Sequence, residues 1–278
     1  VTVRLAQVID ALQARYDPAL AEPWDAVGLV CGDPDEPVGR VLFAVDPTAA
    51  VVDEVVATGA DLLVTHHPLF LTPVHGVPAD DPKGRLVHRL VRAGAGLFVA
   101  HTNADRAPDT GVNAALADVL GLTAAVPLDP SPGRPGAGLG RVGELPEELS
   151  LAEFAELVAR VLPATASGAR IAGDPGRRVR RVAVCGGSGG SLLPAAAAAG
   201  ADVLLTSDLK HHPASDALEV DGPALCDVAH FASEWPWLPV AAAALREDLG
   251  GAVEVTVSER RTDPWSLSVA QGRGEPDE

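Results

Sequence analysis

The chain has no methionine, only two lysines, three cysteines, and aromatic residues at 4%. Each scarcity narrows the function. Cys31, Cys185 and Cys226 show no Cys-x-x-Cys spacing, so neither a thiolate metal knuckle nor a disulfide framework fits. An odd set of thiols in apolar surroundings points to a reduced, cytoplasmic protein. Lys83 and Lys210 are the only lysines and the formal charge is −17, so the surface repels phosphate backbones and nucleic acid is set aside as a partner. The one basic cluster, Arg177-Arg178-Val179-Arg180-Arg181, reads as a charged loop at a strand edge. Uninterrupted apolar runs are missing as well: Leu192 to Leu205 is broken by Pro194, Gly200 and Asp202, so no membrane span is expected. Val1 to Tyr16 carries Arg4, Asp10 and Arg15 in place of the apolar centre of a secretion signal.

What is present is a globular composition, 47% apolar over 278 residues, enough for one large or two medium domains. Val3, Leu5, Val8, Ile9, Leu12 and Tyr16 fall at helical spacing. Trp24 to Pro34 reads as turns. Val41 to Val45, Asp61 to Thr65 and Leu97 to Ala100 read as buried strands alternating with helices over 48–58 and 83–94. Pro68 ends its strand at His67. Residues 128–143 are dense in Pro and Gly and read as a linker; Ser150-Leu151-Ala152-Glu153 then opens a helix with a capping box. A further strand starts at Val182.

The second half repeats the first. Gly59-Ala60-Asp61-Leu62-Leu63-Val64-Thr65 matches Gly200-Ala201-Asp202-Val203-Leu204-Leu205-Thr206, and Val41–Val45 keeps the same offset to Val182–Gly186. Further on, Val99-Ala100-His101-Thr102-Asn103-Ala104-Asp105 matches Val228-Ala229-His230-Phe231-Ala232-Ser233-Glu234. Gly-Ala-Asp before a strand is common in α/β proteins, but the recurring His-x-x-x-carboxylate favours an internal duplication. The expected fold is α/β: two similar halves, mixed sheets flanked by helices, and a metal site between the halves. The expected division is 1–127 for the first half, 128–178 for a linker with a short helical segment, and 179–278 for the second half.

Six of the eight histidines sit at or just past expected strand ends: His66, His67, His101, His211, His212 and His230. In open α/β sheets ligands collect there. Adjacent His66 and His67, at a frayed strand end, can reach two nearby points. His101 with Asp105 and His230 with Glu234 are four apart, which brings each pair to one side of a helical turn. Imidazole with carboxylate suits Zn, Fe, Mn or Co, and carboxylates bridge paired cations, so the pattern signals a dinuclear site. Asp208 stands where the first repeat has His67, and Ser207 where it has His66. Cys185-Gly186-Gly187-Ser188-Gly189-Gly190-Ser191 reads as a tight strand-to-helix turn and lacks the Gly-Lys-Ser/Thr of a P-loop.

Taken together, Trp24-Asp25-x-x-Gly28-Leu29, Thr65-His66-His67-Pro68, His101-Thr102-Asn103-x-Asp105, Gly186-Gly187-Ser188-Gly189, Asp208-x-x-x-His212 and His230-x-x-x-Glu234 resemble the Nif-three-like family, whose members carry the label GTP cyclohydrolase I type 2 homologue. The resemblance implies a duplicated α/β fold and two divalent transition-metal ions per chain. Carried over, the ligands fall on His66, His67, Asp105, His230 and Glu234, with His101 close by. It also implies ring-like homohexamers assembled from dimers. Ala26 stands where members commonly have Asn, and His211 where they have another residue. Some relatives insert a large domain between the halves; 128–178 is too short for one, which implies an open central hole.

The leading expectation is a metal-dependent hydrolase acting on a small molecule, with His101 and His212 as proton-moving residues. The label suggests GTP ring opening, although no guanine or triphosphate pocket is visible in the sequence. The alternative is a non-enzymatic metal-binding or regulatory ring. An open coordination position would favour catalysis, a closed one the alternative.

Overall fold

The computed structural model describes residues 2–220 and 222–269. The first half contributes α1 (Leu5–Arg15), β1 (Gly28–Cys31), β2 (Arg40–Ala44), α2 (Ala49–Thr58), β3 (Leu62–Thr65), α3 (Pro82–Arg92), β4 (Gly96–Val99), α4 (Thr102–Arg106) and α5 (Val112–Val119). Then follow β5 (Thr123–Pro130), β6 (Gly138–Ser150), α6 (Leu151–Val161), β7 (Arg170–Ala172), β8 (Arg178–Val184), α7 (Leu193–Ala198), β9 (Val203–Ser207), α8 (His211–Leu218), β10 (Ala224–Val228), α9 (His230–Glu234), α10 (Trp237–Asp248) and β11 (Glu254–Val257). These strands build two mixed sheets flanked by helices, ordered β1-β4-β3-β2-β11 and β5-β6-β8-β9-β10-β7. The centres are the parallel trios β2-β3-β4 and β8-β9-β10, whose fully buried Val, Leu and Phe residues read as continuous apolar runs. An antiparallel edge strand, β1 or β7, lies beyond the last member of each trio.

The Gly-Ala-Asp blocks have a local physical reason. Gly59 and Gly200 sit at φ +65° and +66°, a conformation in which glycine ends the preceding helix without strain. Asp61 and Asp202 then turn Oδ2 onto two successive amides of the neighbouring strand. Asp61 accepts from Gly39 and Arg40 at 2.7 and 2.9 Å, Asp202 from Arg180 and Arg181 at 2.8 and 2.7 Å. The register agrees as well: Val41 opposes Leu62 and Val182 opposes Val203, the positions that the sequence blocks match.

Three segments differ from the sequence reading. The interval 128–178 contains most of the long antiparallel β5–β6 pair as well as α6 and β7. Its glycines serve close strand approach: a Cβ on Gly138 would come within 2.4 Å of the Asp129 carbonyl oxygen. The arginine cluster is the start of β8 rather than a loop, with Arg178 and Arg181 paired to Glu148 and Glu144 across the β6 contact at 2.7 and 2.8 Å. Gly28–Cys31, inside the stretch read as turns, is the edge strand β1. The capping box at Ser150 is present, with Glu153 accepting from the Ser150 amide at 2.7 Å.

The C-terminal part crosses over. Residues 237–257, grouped by sequence with 179–278, pack on the first sheet: β11 pairs in parallel with β2, and α10 joins α1 in one apolar core. Trp237 anchors it. Its ring is fully buried, edge-on to Tyr16 at 5.5 Å and Phe43 at 6.1 Å, and 5.5 Å from the His66 ring. Its Nε1–H donates to the Tyr16 hydroxyl at 3.1 Å. Among the described residues no helix is long and apolar enough to cross a membrane. Trp237→Ala is expected to lower stability by about 3–5 kcal/mol in urea unfolding; a loss under about 1 kcal/mol would contradict this anchoring.

Candidate metal centre

The six histidines singled out in the sequence all follow parallel strands: His66 and His67 after β3, His101 after β4, His211 and His212 after β9, and His230 after β10. The fold brings His66, His67, His101, Asp105, His230 and Glu234 to one place. His212 is exposed at the start of α8, and among the described residues no hydrogen bond or ion pair joins it to that cluster.

Each of the four clustered imidazoles is fixed by its Nδ1. His66 donates to the Ala100 carbonyl at 2.9 Å, His67 to Asp46 at 2.6 Å, His101 to Asp25 at 2.8 Å and His230 to Asp208 at 2.7 Å. An Nδ1–H committed to an acceptor leaves Nε2 as the ligating atom, the usual arrangement behind a metal-bound histidine. Asp25 is itself set by Thr102, whose amide donates to it at 3.0 Å and whose hydroxyl also bonds it. Burial alone would raise the Asp25 carboxyl, but the bonds from His101 and Thr102 hold it well below the usual range. These three carboxylates were not assigned a role from sequence. Asp25 lies in a quoted motif, and Asp208 occupies the position matched to His67. Asp208 takes φ +56°, which Asp tolerates better than most residues, and so aims its carboxylate at His230.

The Nε2 atoms of His66, His67 and His230 converge on Glu234, which is 2% exposed. Glu234 Oε1 lies 2.9 Å from His230 Nε2 and 3.4 Å from His66 Nε2, and Oε2 lies 3.0 Å from His67 Nε2. Asp105 Oδ1 is 3.6 Å from His66 Nε2. Two overlapping groups, His66-His67-His101 and His67-His230-Glu234, each place three ligand atoms within 4.8 Å of one another. Among the described residues, His66 Nε2, Asp105 Oδ1 and Glu234 Oε2 are buried without a hydrogen bond of regular geometry, the His67 Nε2 beside Glu234 Oε2 being poorly aligned for one. Each such orphan costs about 1–3 kcal/mol, more if charged. Imidazole nitrogens and carboxylate oxygens are the donors that a divalent transition metal takes, so the donor set fits one. His67 Nε2 also faces His230 Nε2 at 3.2 Å, and with both Nδ1 protons committed to carboxylates only a proton or a cation reconciles these lone pairs.

The electrostatics carry the same message. Burial opposes charge on His67, but Glu234 and Asp46 outweigh it and raise its pKa to about 11. His230 rises to about 9 against its burial, through Glu234 and Asp208. His66 is raised against burial by Glu234 and Asp105. Burial would lift Glu234, yet the imidazoles of His67, His66 and His230 hold it well below the usual range; Asp105 is pushed up by burial and by the Glu234 charge. With these raised values His230 and His67 hold their protons through neutral pH and lose them as pH climbs through about 9 and about 11 respectively. In the metal-free cluster these protons balance Glu234, and an entering cation exchanges for them.

The glycine-rich turn closes the inner wall. Its amides are spent on protein acceptors, Gly186 on Asn113, Gly187 on Ser233 and Gly189 on Thr206, at 2.8, 2.9 and 2.8 Å, so it is a tight packing turn. Cys185 before it is buried, and burial pushes its thiol up, which rules against a nucleophilic role.

Residues 3–264 match the family described as Duf34/NIF3 (NGG1p interacting factor 3), and the chain belongs to that family. A Streptomyces coelicolor relative named GTP cyclohydrolase 1 type 2 homolog is 53% identical over 272 residues, covering 96% of this chain and 95% of the relative. A Mycobacterium bovis protein of the same name is 38% identical over 378 residues, covering 98% and 99%. Among solved structures, a Staphylococcus aureus hypothetical protein shares the fold with a TM-score of 0.87 at 28% identity, covering 96% of this chain and all of that one (100%).

A Cβ on Gly187 would lie 2.5 Å from Glu234 Oε1 and 2.9 Å from His230 Nε2, at φ +65°. Gly187→Ala is therefore expected to keep the fold by circular dichroism, with a backbone cost of roughly 1–2 kcal/mol. Its zinc affinity by calorimetry should fall by about tenfold or more. Unchanged affinity would show that the turn does not shape the site.

Proposed function

We propose that the chain is a dinuclear metal-dependent hydrolase whose two divalent cations (Zn, Fe, Mn or Co) are held by His66, His67, Asp105, His230 and Glu234. The observation that carries this reading is the pair of overlapping ligand groups sharing His67, with the Asp105 Oδ1 atom 3.6 Å from His66 Nε2 beside them. Two-cation centres polarise an electrophilic oxygen and make water nucleophilic near neutral pH.

The protein's own part is positional. Glu234 turns one oxygen toward His66 and His230 and the other toward His67, the attitude of a bridging carboxylate. Asp25, Asp46 and Asp208 fix three imidazoles in one tautomer. His101, held at Nδ1 by Asp25, presents Nε2 toward the cluster and is the proton-handling residue of this reading. His212 is its second proton-handling candidate, acting from the exposed start of α8. The ligands come from both matched halves, which supports treating 1–127 and 179–278 as copies of one unit with the C-terminal helix and strand exchanged onto the first sheet. Hydrolytic ring opening of the GTP cyclohydrolase type 2 kind is the activity that the relatives' name puts forward; the site supports the reaction class, and the substrate rests on that name.

Protein prepared without chelator, or reconstituted, is expected to hold about two transition-metal ions per chain by elemental analysis. Glu234→Ala should lose at least one of them while staying folded. Full metal content in that variant, or none in the wild type after reconstitution, would overturn the assignment. The reading also includes the homohexamer built from dimers. Light scattering should give a particle six times the 28.4 kDa chain mass, and a monomer would contradict it.

A further inference from the structure

Past β11 the chain leaves the first sheet from a fixed base. Ser258 and Arg260 both donate to Glu54 Oε2, at 2.8 and 2.9 Å, and the Thr262 hydroxyl donates to Asp46. Beyond that base comes Trp265-Ser266-Leu267-Ser268-Val269, in which apolar and polar residues alternate strictly. This is the pattern of a strand with one buried face, and Trp and Val favour strands. Yet the face is bare: Trp265, Leu267 and Val269 are 65, 76 and 77% exposed. Among the described residues, no backbone group of 265–269 bonds to another backbone group, and the segment belongs to neither sheet. Single exposed apolar residues are ordinary, but an exposed apolar row on an unpaired extended segment is a template for pairing.

A place for such a strand lies close by. β7 is the last strand of the second sheet; it pairs with β10, and among the described residues nothing pairs with its outer edge. A groove of about 520 Å³ runs between β7 and α8, with Ile171, Ala172, Leu218 and Leu225 as its apolar surface. All three residues of β7 line it. Successive side chains of a strand face opposite ways, so the groove reaches round to the open edge of β7. Arg170 and Asp227 line both this groove and the cavity walled by Thr262 and Trp265, so the exit of the segment and the groove abut. The chain's own segment nevertheless passes the groove by, since none of residues 262–269 lines it.

We infer that the Trp265–Val269 segment of one chain adds as a strand to the open edge of β7 in a second copy, with Leu267 and Val269 in the groove beside α8, and that the exchange is reciprocal. Strand addition supplies the backbone hydrogen bonds that both edges lack, and alternate side chains fill the adjoining groove. Because exit and groove abut on one molecule, a twofold axis beside them makes both contacts with the same pair of surfaces. Charge favours this surface for self-association. Each chain carries −17, so two copies repel over most of their area. The segment has no ionisable side chain, and Arg170 at the groove is already paired with Asp227. The inference goes beyond the hexamer reading: it names the joining surfaces, and it holds for a dimer as well as for a ring.

The test places the photoreactive amino acid p-benzoylphenylalanine at Leu267 of the full-length protein. Irradiation is expected to give a band at twice the chain mass on a denaturing gel, with the cross-linked peptides mapping to β7 or α8. A cross-link within one chain, a cross-link to another face of the second copy, or no cross-link would overturn the inference. Independently, Leu267→Asp and Leu218→Asp should each raise the concentration at which the oligomer dissociates, followed by light scattering on dilution, by about tenfold or more. Combined, they should raise it by less than the product of the single effects, because both break one contact. Both side chains are exposed within the chain, so the circular dichroism spectrum should stay that of the wild type. Unchanged dissociation in both variants would also overturn the inference. The expected cross-link in a particle that scatters as a dimer would refute the hexamer alone; a hexamer without that cross-link would refute this inference alone.

Discussion

The structure is organised around one costly object, the Glu234 carboxylate, 2% exposed and ringed by imidazoles. A buried carboxylate is tolerated only where positive charge or donors reach it. Here His66, His67 and His230 supply that, and each has to be held with Nε2 inward. The holding groups come from distant parts of the chain: Ala100 after β4, Asp46 after β2, and Asp208 after β9. Much of the sheet topology can be read as the scaffold that delivers these groups to one point. The raised histidine values and the lowered Glu234 are two views of the same balance, which protons meet in the absence of a metal.

Parallel strands make this economical. Their carboxyl ends all emerge on one side, so β2, β3, β4, β9 and β10 contribute side chains to the centre from both sheets. What keeps the ends in register is backbone chemistry well away from the site. Asp61 and Asp202 clamp neighbouring strands at their starts, and Gly59 and Gly200 end the preceding helices. At the other end Gly187 lets the main chain pass closer to Glu234 and His230 than any side chain would allow. Trp237 then ties α10 to Tyr16, Phe43 and the back of the His66 ring, so the core and the centre share a wall.

The segment after β11 is coupled to the centre through short polar links. Thr262 bonds Asp46, Asp46 bonds His67, and His67 faces Glu234. Asp208, at the sequence position matched to His67, orients His230.

The alternation of buried runs and amphipathic stretches placed β2, β3, β4, α1, α2, α3 and α6 within a residue or two, because period and local caps are properties of contiguous chain. The histidines at strand ends and the His-x-x-x-carboxylate pairs were legible for the same reason, and so was the capping box at Ser150. The β5–β6 pair was not, because Pro and Gly signal turns locally while only the facing strand shows that close approach is what they serve. The return of α10 and β11 to the first sheet left no mark in sequence order, since a strand's partner is chosen by the whole core. Nor did the sequence assign roles to Asp25, Asp46 and Asp208. An aspartate looks alike whether it is solvated or holds an imidazole, and what separates those cases is the set of atoms that tertiary folding brings within about 3 Å of it.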